Sequence, residues 1–303
     1  MDIGITYGIA KPPKEYLENE KYYFKYLKSC GWDCVNYSID FTPYHEKWSE
    51  KKTKKYFTDI RKAAEDAGMY IGITHGHGGG HPRYVDFDYD EMIERQKYSV
   101  RVSSYLGCKN MVMHPYQMPG RRYERLLETD FAKNVEFFGT LREELEKYDV
   151  YCCIENMWVV DPYYKNICAT TCSRIDEINA MIDILGDDRY KICVDTGHGE
   201  VTQDDPVQMV RKAGDRLFAL HCHSTDSNDD THTFPFVPHY INKHAVQTDW
   251  EELIKALDDI DFKGALTFET SIPGPAEVNE AGMIWHAKVA RYLADLSKTS
   301  QKG

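Results

Sequence analysis

The chain has 303 residues, 42% of them hydrophobic, and 37 basic against 49 acidic side chains give a net charge of −12. That length and apolar content suit one large domain, since α/β barrels commonly run to about 250 residues as a single unit. The acidic balance repels a phosphate backbone and argues against a general nucleic-acid binder, and no apolar run approaches the ~20 residues of a membrane span.

The first predicted element is a strand over 3–8, reached from Met1 without the basic n-region and apolar h-region of a signal peptide. A helical pattern over 14–30 leads to a strand over 33–38. Then follow a helix over 47–67, a strand over 69–75, a helix over 89–106 and a strand over 110–114. The second half repeats the scheme: helix 124–147, strand 150–155, helix 173–185, strand 190–195, helix 205–213, strand 217–221, helix 249–258, strand 264–269 and helix 276–296. Eight strands alternate with eight helices, which implies right-handed βαβ crossovers and a parallel sheet. In the helix over 173–185, Ser173 and Asp176 have approximate capping-box spacing. Ile175, Ile178, Ile182 and Leu185 make one apolar face, and Gly186 is placed as a stop. The polar tail 297–303 is expected to fray.

The nine cysteines are an odd number, scattered through apolar runs (Cys34, Cys152, Cys153, Cys193). Together with the absent leader they read as reduced core thiols of a cytoplasmic protein. Cys168 and Cys172 lie four apart, but no second pair completes a zinc site. Two long segments interrupt the alternation: the glycine-rich 76–88, containing His77-Gly-Gly-Gly-His81, and the polar and aromatic 222–248. Both follow strand C-termini, where loops of this length are either functional or disordered. The first also reads as a flexible lid.

The chemistry-bearing residues cluster at the downstream ends of the strands. Glu155, Asp195, His221 and Glu269 end the fifth to eighth runs, and His75 and His114 end the third and fourth. A charge there is costly unless it meets a metal, a substrate or an ion-pair partner. Strand ends converging on one point describe the catalytic face of a parallel barrel. Three carboxylates and one imidazole suit one divalent cation, Mn²⁺, Co²⁺, Mg²⁺ or Zn²⁺. His223, two residues beyond His221, faces the same way, so a register slip of two would make it the ligand. Trp158 and Tyr7 are placed to line a substrate pocket, or else to pack the barrel top, and Tyr116, Phe234 and Phe236 are weaker candidates of the same kind. Trp250 reads as a packing residue opening its helix. Arg83, Arg121 and Arg122 are placed to meet a phosphate or to be solvated loop charges; no P-loop appears.

The segments Ile154-Glu155-Asn156-Met157, Val194-Asp195-Thr196-Gly197-His198, Leu220-His221-Cys222-His223 and Thr248-Asp249-Trp250 resemble the sugar phosphate isomerase/epimerase superfamily of xylose-isomerase-like barrels. The resemblance spans nearly the whole chain and implies a single-domain (β/α)8 TIM barrel over 1–303. It also implies one catalytic metal held by Glu155, Asp195, His221 and Glu269. Glu155 and Glu269 would double as acid and base, exchanging protons with a ketose or related sugar through a metal-stabilised enediolate. His75, His114 and His198 would contact substrate, and homo-oligomers are common in the family. Lyases, dehydratases and C-glycoside-cleaving enzymes use the same enolising site. Endonuclease IV-like DNA repair phosphodiesterases with three zinc ions share the superfamily, and their extra ligands have counterparts in His75, His114, His198, Asp230 and His232. The acidic charge argues against that alternative. A binding protein that kept the barrel and lost activity has no need of two opposed glutamates.

Overall fold

The computed structural model of the protein describes residues 1–8, 20–39, 48–77, 89–117, 127–161, 164–226, 228–236, 245–270, 272 and 276–300. Eight parallel strands close into a barrel. They are β1 (Ile3–Thr6), β2 (Cys34–Ser38), β3 (Tyr70–His75), β4 (Asn110–Met113), β5 (Tyr151–Glu155), β8 (Tyr190–Asp195), β9 (Leu217–Cys222) and β10 (Leu266–Phe268), and their spatial order is β1-β10-β9-β8-β5-β4-β3-β2. The ring closes where Ile3 pairs with Leu266 and Ile5 with Phe268. Each strand is buried on both faces, which is why it reads in the sequence as a short unbroken apolar run. Ile73, Val112, Cys153, Cys193 and Ala219 fill one inner cluster. The larger core lies between the strands and the helices around them.

The helices are α1 (Glu20–Cys30), α2 (Glu50–Asp66), α3 (Tyr89–Tyr105), α4 (Leu127–Gly139), α5 (Arg142–Tyr148), α6 (Ile175–Leu185), α7 (Thr196–Val201), α8 (Pro206–Ala213), α9 (Trp250–Asp259) and α10 (Ala276–Ser300). Their starts follow from local chemistry. Ser49 accepts from Lys52 N, Asp205 from Val207 N with Pro206 next, and Asp249 from Glu252 N. Trp250 is buried, in the packing role expected of it. Gly186 ends α6 in the left-handed conformation, φ 62°.

Several expectations are corrected. The helix expected over 124–147 breaks between Gly139 and Arg142, where Thr140 Oγ1 bonds back to Phe137 O. Ser173 does not cap α6: the N-cap is Arg174, and Ser173 Oγ donates to Met157 O and accepts from Thr170 N. A two-stranded hairpin, β6 (Trp158–Val160) with β7 (Ile167–Ala169), and the short α7 were not foreseen. Helix α10 runs on to Ser300, and Ser297, at the start of the expected frayed tail, is buried and donates to Asp258. Residues 78–88, with His81 and Arg83, and residues 118–126, with Arg121 and Arg122, lie outside the described residues. Among the described residues all nine cysteines are free thiols, and no helix is long and apolar enough to cross a membrane.

Candidate active site

The barrel delivers its polar residues to one end. Glu155 and Asp195 are the last residues of β5 and β8, His75 is the last of β3, and His221 lies within β9. His114 and Glu269 stand one residue past β4 and β10. Neighbouring parallel strands in near register bring these C-terminal ends together, as in Asp195 pairing with His221 and Thr267 with His221.

Glu155 is buried at the centre and faced by imidazoles. His221 Nδ1 lies 2.8 Å from its Oε1, while His114 Nε2 and His75 Nε2 lie 3.0 and 3.5 Å from its Oε2. On the other side of the His221 ring, Nε2 stands 3.5 Å from Glu269 Oε1. Asp195 Oδ2 is 3.7 Å from His221 Nδ1. Thus Glu155, Asp195, His221 and Glu269 converge, and His75 and His114 join them on the far side of Glu155.

A second group stands beside the first. His223 Nε2 lies 2.9 and 3.0 Å from the two oxygens of Asp195, and its ring stacks on His232, centroids 4.2 Å apart. Asp230 Oδ2 is 3.4 Å from His198 Nε2 and 3.2 Å from His232 Nε2, and accepts from Trp158 Nε1. The backbone of the Asp195-Thr196-Gly197-His198 segment makes this packing possible. Asp195 Oδ1 caps α7 by accepting from His198 N, and a Cβ on Gly197 would come within 2.0 Å of the His223 ring.

Charge follows from these contacts. Burial alone would raise Glu155, but the imidazoles of His221 and His114 hold it well below the usual carboxylate range. Burial likewise opposes ionisation of Asp195, and His198 and His223 hold it down. Burial pushes the histidines toward neutrality, yet Glu155 lifts His75 to about 9 and Asp230 lifts His232 to about 10. His198 is held above its ordinary value by Asp195 and Asp230, and His221 by Glu269 and Glu155.

The donor set fits divalent metal. Among the described residues, one ligand atom from each of Asp195, His221 and Glu269 falls within 4.8 Å of the others. The same holds for His75, His114 and Glu155, for Glu155, Cys193 and His221, for Asp195, His198 and His223, and for His223, Asp230 and His232. Atoms bound to one ion at about 2.1 Å stand roughly 3–4 Å apart, so the arrangement needs little adjustment to hold one. Among the described residues, His114 Nδ1 and Asp230 Oδ1 are buried without a hydrogen-bond partner, an arrangement that a cation or substrate would relieve.

The other expected site residues fall as follows. His221, rather than His223, stands among Glu155, Asp195 and Glu269. Trp158 is buried in the β6–β7 hairpin, edge-on to His198 with centroids 6.2 Å apart. Tyr7 packs on Tyr23, Phe24 and Tyr37 at 4.8–5.2 Å. Phe234 is buried against Phe268 and His286, Phe236 is exposed, and Tyr116 packs on Tyr89 and Phe137. His77 is anchored at the rim, where Gln96 donates to its carbonyl. Two buried residues escaped the sequence reading. Asn36 on β2 donates to Glu269 Oε1. Glu200 on α7 accepts from Ser224, Thr225 and Thr248, tying the chain after β9 to the start of α9. Only its placement five residues after Asp195 and just past His198 marked Glu200 in the sequence.

Comparisons with known proteins agree with this architecture. A D-psicose 3-epimerase of Enterocloster bolteae is 24% identical over 311 residues, 99% of this chain and 93% of that protein. A crystal structure of a D-psicose 3-epimerase in the presence of D-fructose superposes with a TM-score of 0.69 at 16% identity, covering 98% of this chain and all of that one. An apo 3-keto-D-glucoside 4-epimerase from E. coli gives 0.68 at 15% identity, covering 95% of this chain and 99% of that one. The family model described as xylose isomerase-like TIM barrel matches residues 24–289, and the chain belongs to that family.

Proposed function

We propose that the protein is a divalent-metal-dependent sugar epimerase or isomerase that moves a carbon-bound proton of a ketose or related sugar. The observation that carries this reading is the pair of glutamates flanking one imidazole: Glu155 at 2.8 Å from His221 Nδ1 and Glu269 at 3.5 Å from His221 Nε2. Glu155, Asp195, His221 and Glu269 would hold a cation, which would polarise a substrate carbonyl and so acidify the C–H on the adjacent hydroxyl-bearing carbon. One glutamate takes that proton and the other returns one to the opposite face of the planar enediolate, inverting the carbon. Asp195 is held rigid for its share of the site by Asn156, whose Oδ1 accepts from Asp195 N and whose Nδ2 donates to Asp195 O. His75, His114 and His198 ring the same space as contacts for substrate hydroxyls. The sugar-epimerase relatives at near full-length coverage support the reaction class, and lyase chemistry on the same enediolate is its neighbour.

One specific observation favours a second reading. His75 and His114 gather on Glu155, His198 and His223 gather on Asp195, and Asp230 and His232 gather on His223, so the candidate ligands form five overlapping groups rather than one. Donors for more than one cation are what a three-zinc phosphodiesterase would need. Elemental analysis of protein purified without added metal separates the two, together with solvent-deuterium exchange into D-fructose and related ketoses. About one metal per chain and exchange at a single carbon support the epimerase. About three zincs per chain, no exchange with any ketose and cleavage of abasic DNA would replace it with the phosphodiesterase.

A further inference from the structure

We infer that Asn36 positions Glu269 for proton transfer and that its carbonyl oxygen accepts a hydrogen bond from a hydroxyl of the substrate. The inference rests on the proton-transfer reading above. Asn36 lies in the middle of β2, fully buried, where the β2–β3 register shifts between Val35 and Asn36. Such irregularities re-aim a side chain and recur beside active sites. Here the amide reaches His221 of β9 and Glu269, just past β10. Its Nδ2 donates to Glu269 Oε1 at 2.6 Å and lies 3.3 Å from His221 Nε2 and 3.4 Å from Thr6 Oγ1.

The chemistry of these neighbours fixes the amide orientation. Turned over, the carbonyl oxygen of Asn36 would meet the carboxylate oxygen of Glu269 at hydrogen-bond distance with no proton between them. With the N–H side committed to Glu269, Oδ1 is left buried without a hydrogen-bond partner among the described residues. A buried acceptor without a donor is costly, and a polyhydroxylated ligand carries the donor it lacks. A site with such a group discriminates strongly against ligands missing the hydroxyl. The asymmetry between the glutamates follows. Glu155 is oriented by imidazoles on several sides, whereas Glu269, nearer solvent, is held by Asn36 and faced by His221 and His232. Of the two carboxylates, Glu269 depends more on this amide for its aim.

The test compares wild type with Asn36→Leu, which keeps the branched shape and removes both hydrogen-bonding ends, and with Asn36→Ser, a smaller variant that guards against misfolding by Leu. Deuterium exchange into D-fructose is followed at saturating Mn²⁺ or Co²⁺, with bound metal and melting temperature measured on the same samples. The expected result is a fall in kcat of roughly 10–100-fold, the scale set by small misplacements of a reacting group, and a raised KM. Metal stoichiometry and melting temperature stay at the wild-type level. Wild-type kcat and KM in either folded variant would overturn the inference. So would activity lost only in step with bound metal in both variants, which is the behaviour of a purely structural residue. If wild type exchanges into none of the ketoses tried, the proton-transfer reading itself fails and takes the role of Asn36 with it.

Discussion

Gly197→Ala is a sharp test of the packing beside Asp195. A Cβ at this position would lie 2.0 Å from His223 Cε1, 2.3 Å from Nδ1 and 2.7 Å from Nε2. Carbon atoms in contact settle near 3.5–4.0 Å, so the ring must retreat by about 1.5 Å. It has nowhere to retreat: His223 is fully buried, its Nε2 is held by both oxygens of Asp195, one face is covered by His232, and its backbone N–H donates to Thr196 Oγ1. Overpacking of this kind costs about 1–3 kcal/mol. The Asp195–His223 contact is lost in addition. Against this, replacing a helical glycine by alanine gains roughly 0.5–1 kcal/mol. The net expectation is a destabilisation of about 1–2 kcal/mol in urea unfolding of the chelated protein, with weaker metal binding at the Asp195 end of the site. Adding His223→Ala to Gly197→Ala makes room for the new methyl group, so the double variant should be more stable than the sum of the two single effects. A Gly197→Ala protein as stable as wild type, with unchanged metal binding, would refute the reasoning.

Further expectations follow from the same geometry. Glu155→Gln should leave the fold intact and abolish proton exchange; exchange at the wild-type rate would remove Glu155 from the mechanism. Chelation should abolish activity and lower the melting temperature, because a ligand at 100 times its Kd adds about 2.7 kcal/mol to the native state. A melting temperature indifferent to chelator would deny the metal any part in stability. In the chelated protein His75 has its ordinary value near 6.5 when unfolded and about 9 when folded. Burial opposes that rise and the hydrogen bond and charge of Glu155 outweigh it. The resulting stability, on the order of 3 kcal/mol, is full below pH ~6.5 and disappears as pH climbs through 9. Melting temperature should therefore fall between pH 7 and 10, less so in Glu155→Gln, and a flat profile would contradict the contact. Glu200→Ala strips the acceptor from Ser224, Thr225 and Thr248 together. A loss of about 3–5 kcal/mol is expected from breaking a buried network of this size, read from urea unfolding.

The barrel and the ring of acids and histidines were legible because buried parallel strands carry an unbroken apolar signal that a terminal charge interrupts. Glu155 after Tyr-Cys-Cys-Ile and Asp195 after Lys-Ile-Cys-Val announce themselves in this way. The helix breaks were harder. The pattern over 124–147 is apolar at helical spacing on both sides of Gly139, and the turn there is set by Thr140 bonding back along the chain. Ser173 looks like a cap because capping needs only local sequence, but Met157 O, sixteen residues earlier, claims its hydroxyl. Asn36 could not be read at all, since it is one polar residue inside an apolar strand and its partner Glu269 lies 233 residues away. The need for glycine at 197 is also hidden from local sequence, being imposed by the ring of His223 just past the next strand.

Closure of the ring by Ile3 and Leu266 has a consequence for biosynthesis. Strands β3, β4 and β5 are neighbours both in space and along the chain, so His75, His114 and Glu155 can assemble as soon as residue 155 leaves the ribosome. Glu269 arrives on the last strand, and β1 has no partner on its second edge until then. At 5–20 residues per second the interval between the two events is roughly 6–23 s. Throughout it the nascent chain carries an open sheet with bare hydrogen-bonding edges and a half-built cluster of charges, the state in which strands of one chain pair with those of another. Nascent chains carried close together on one messenger expose that edge to one another, and a chaperone that shields it would protect the chain until the last strand arrives.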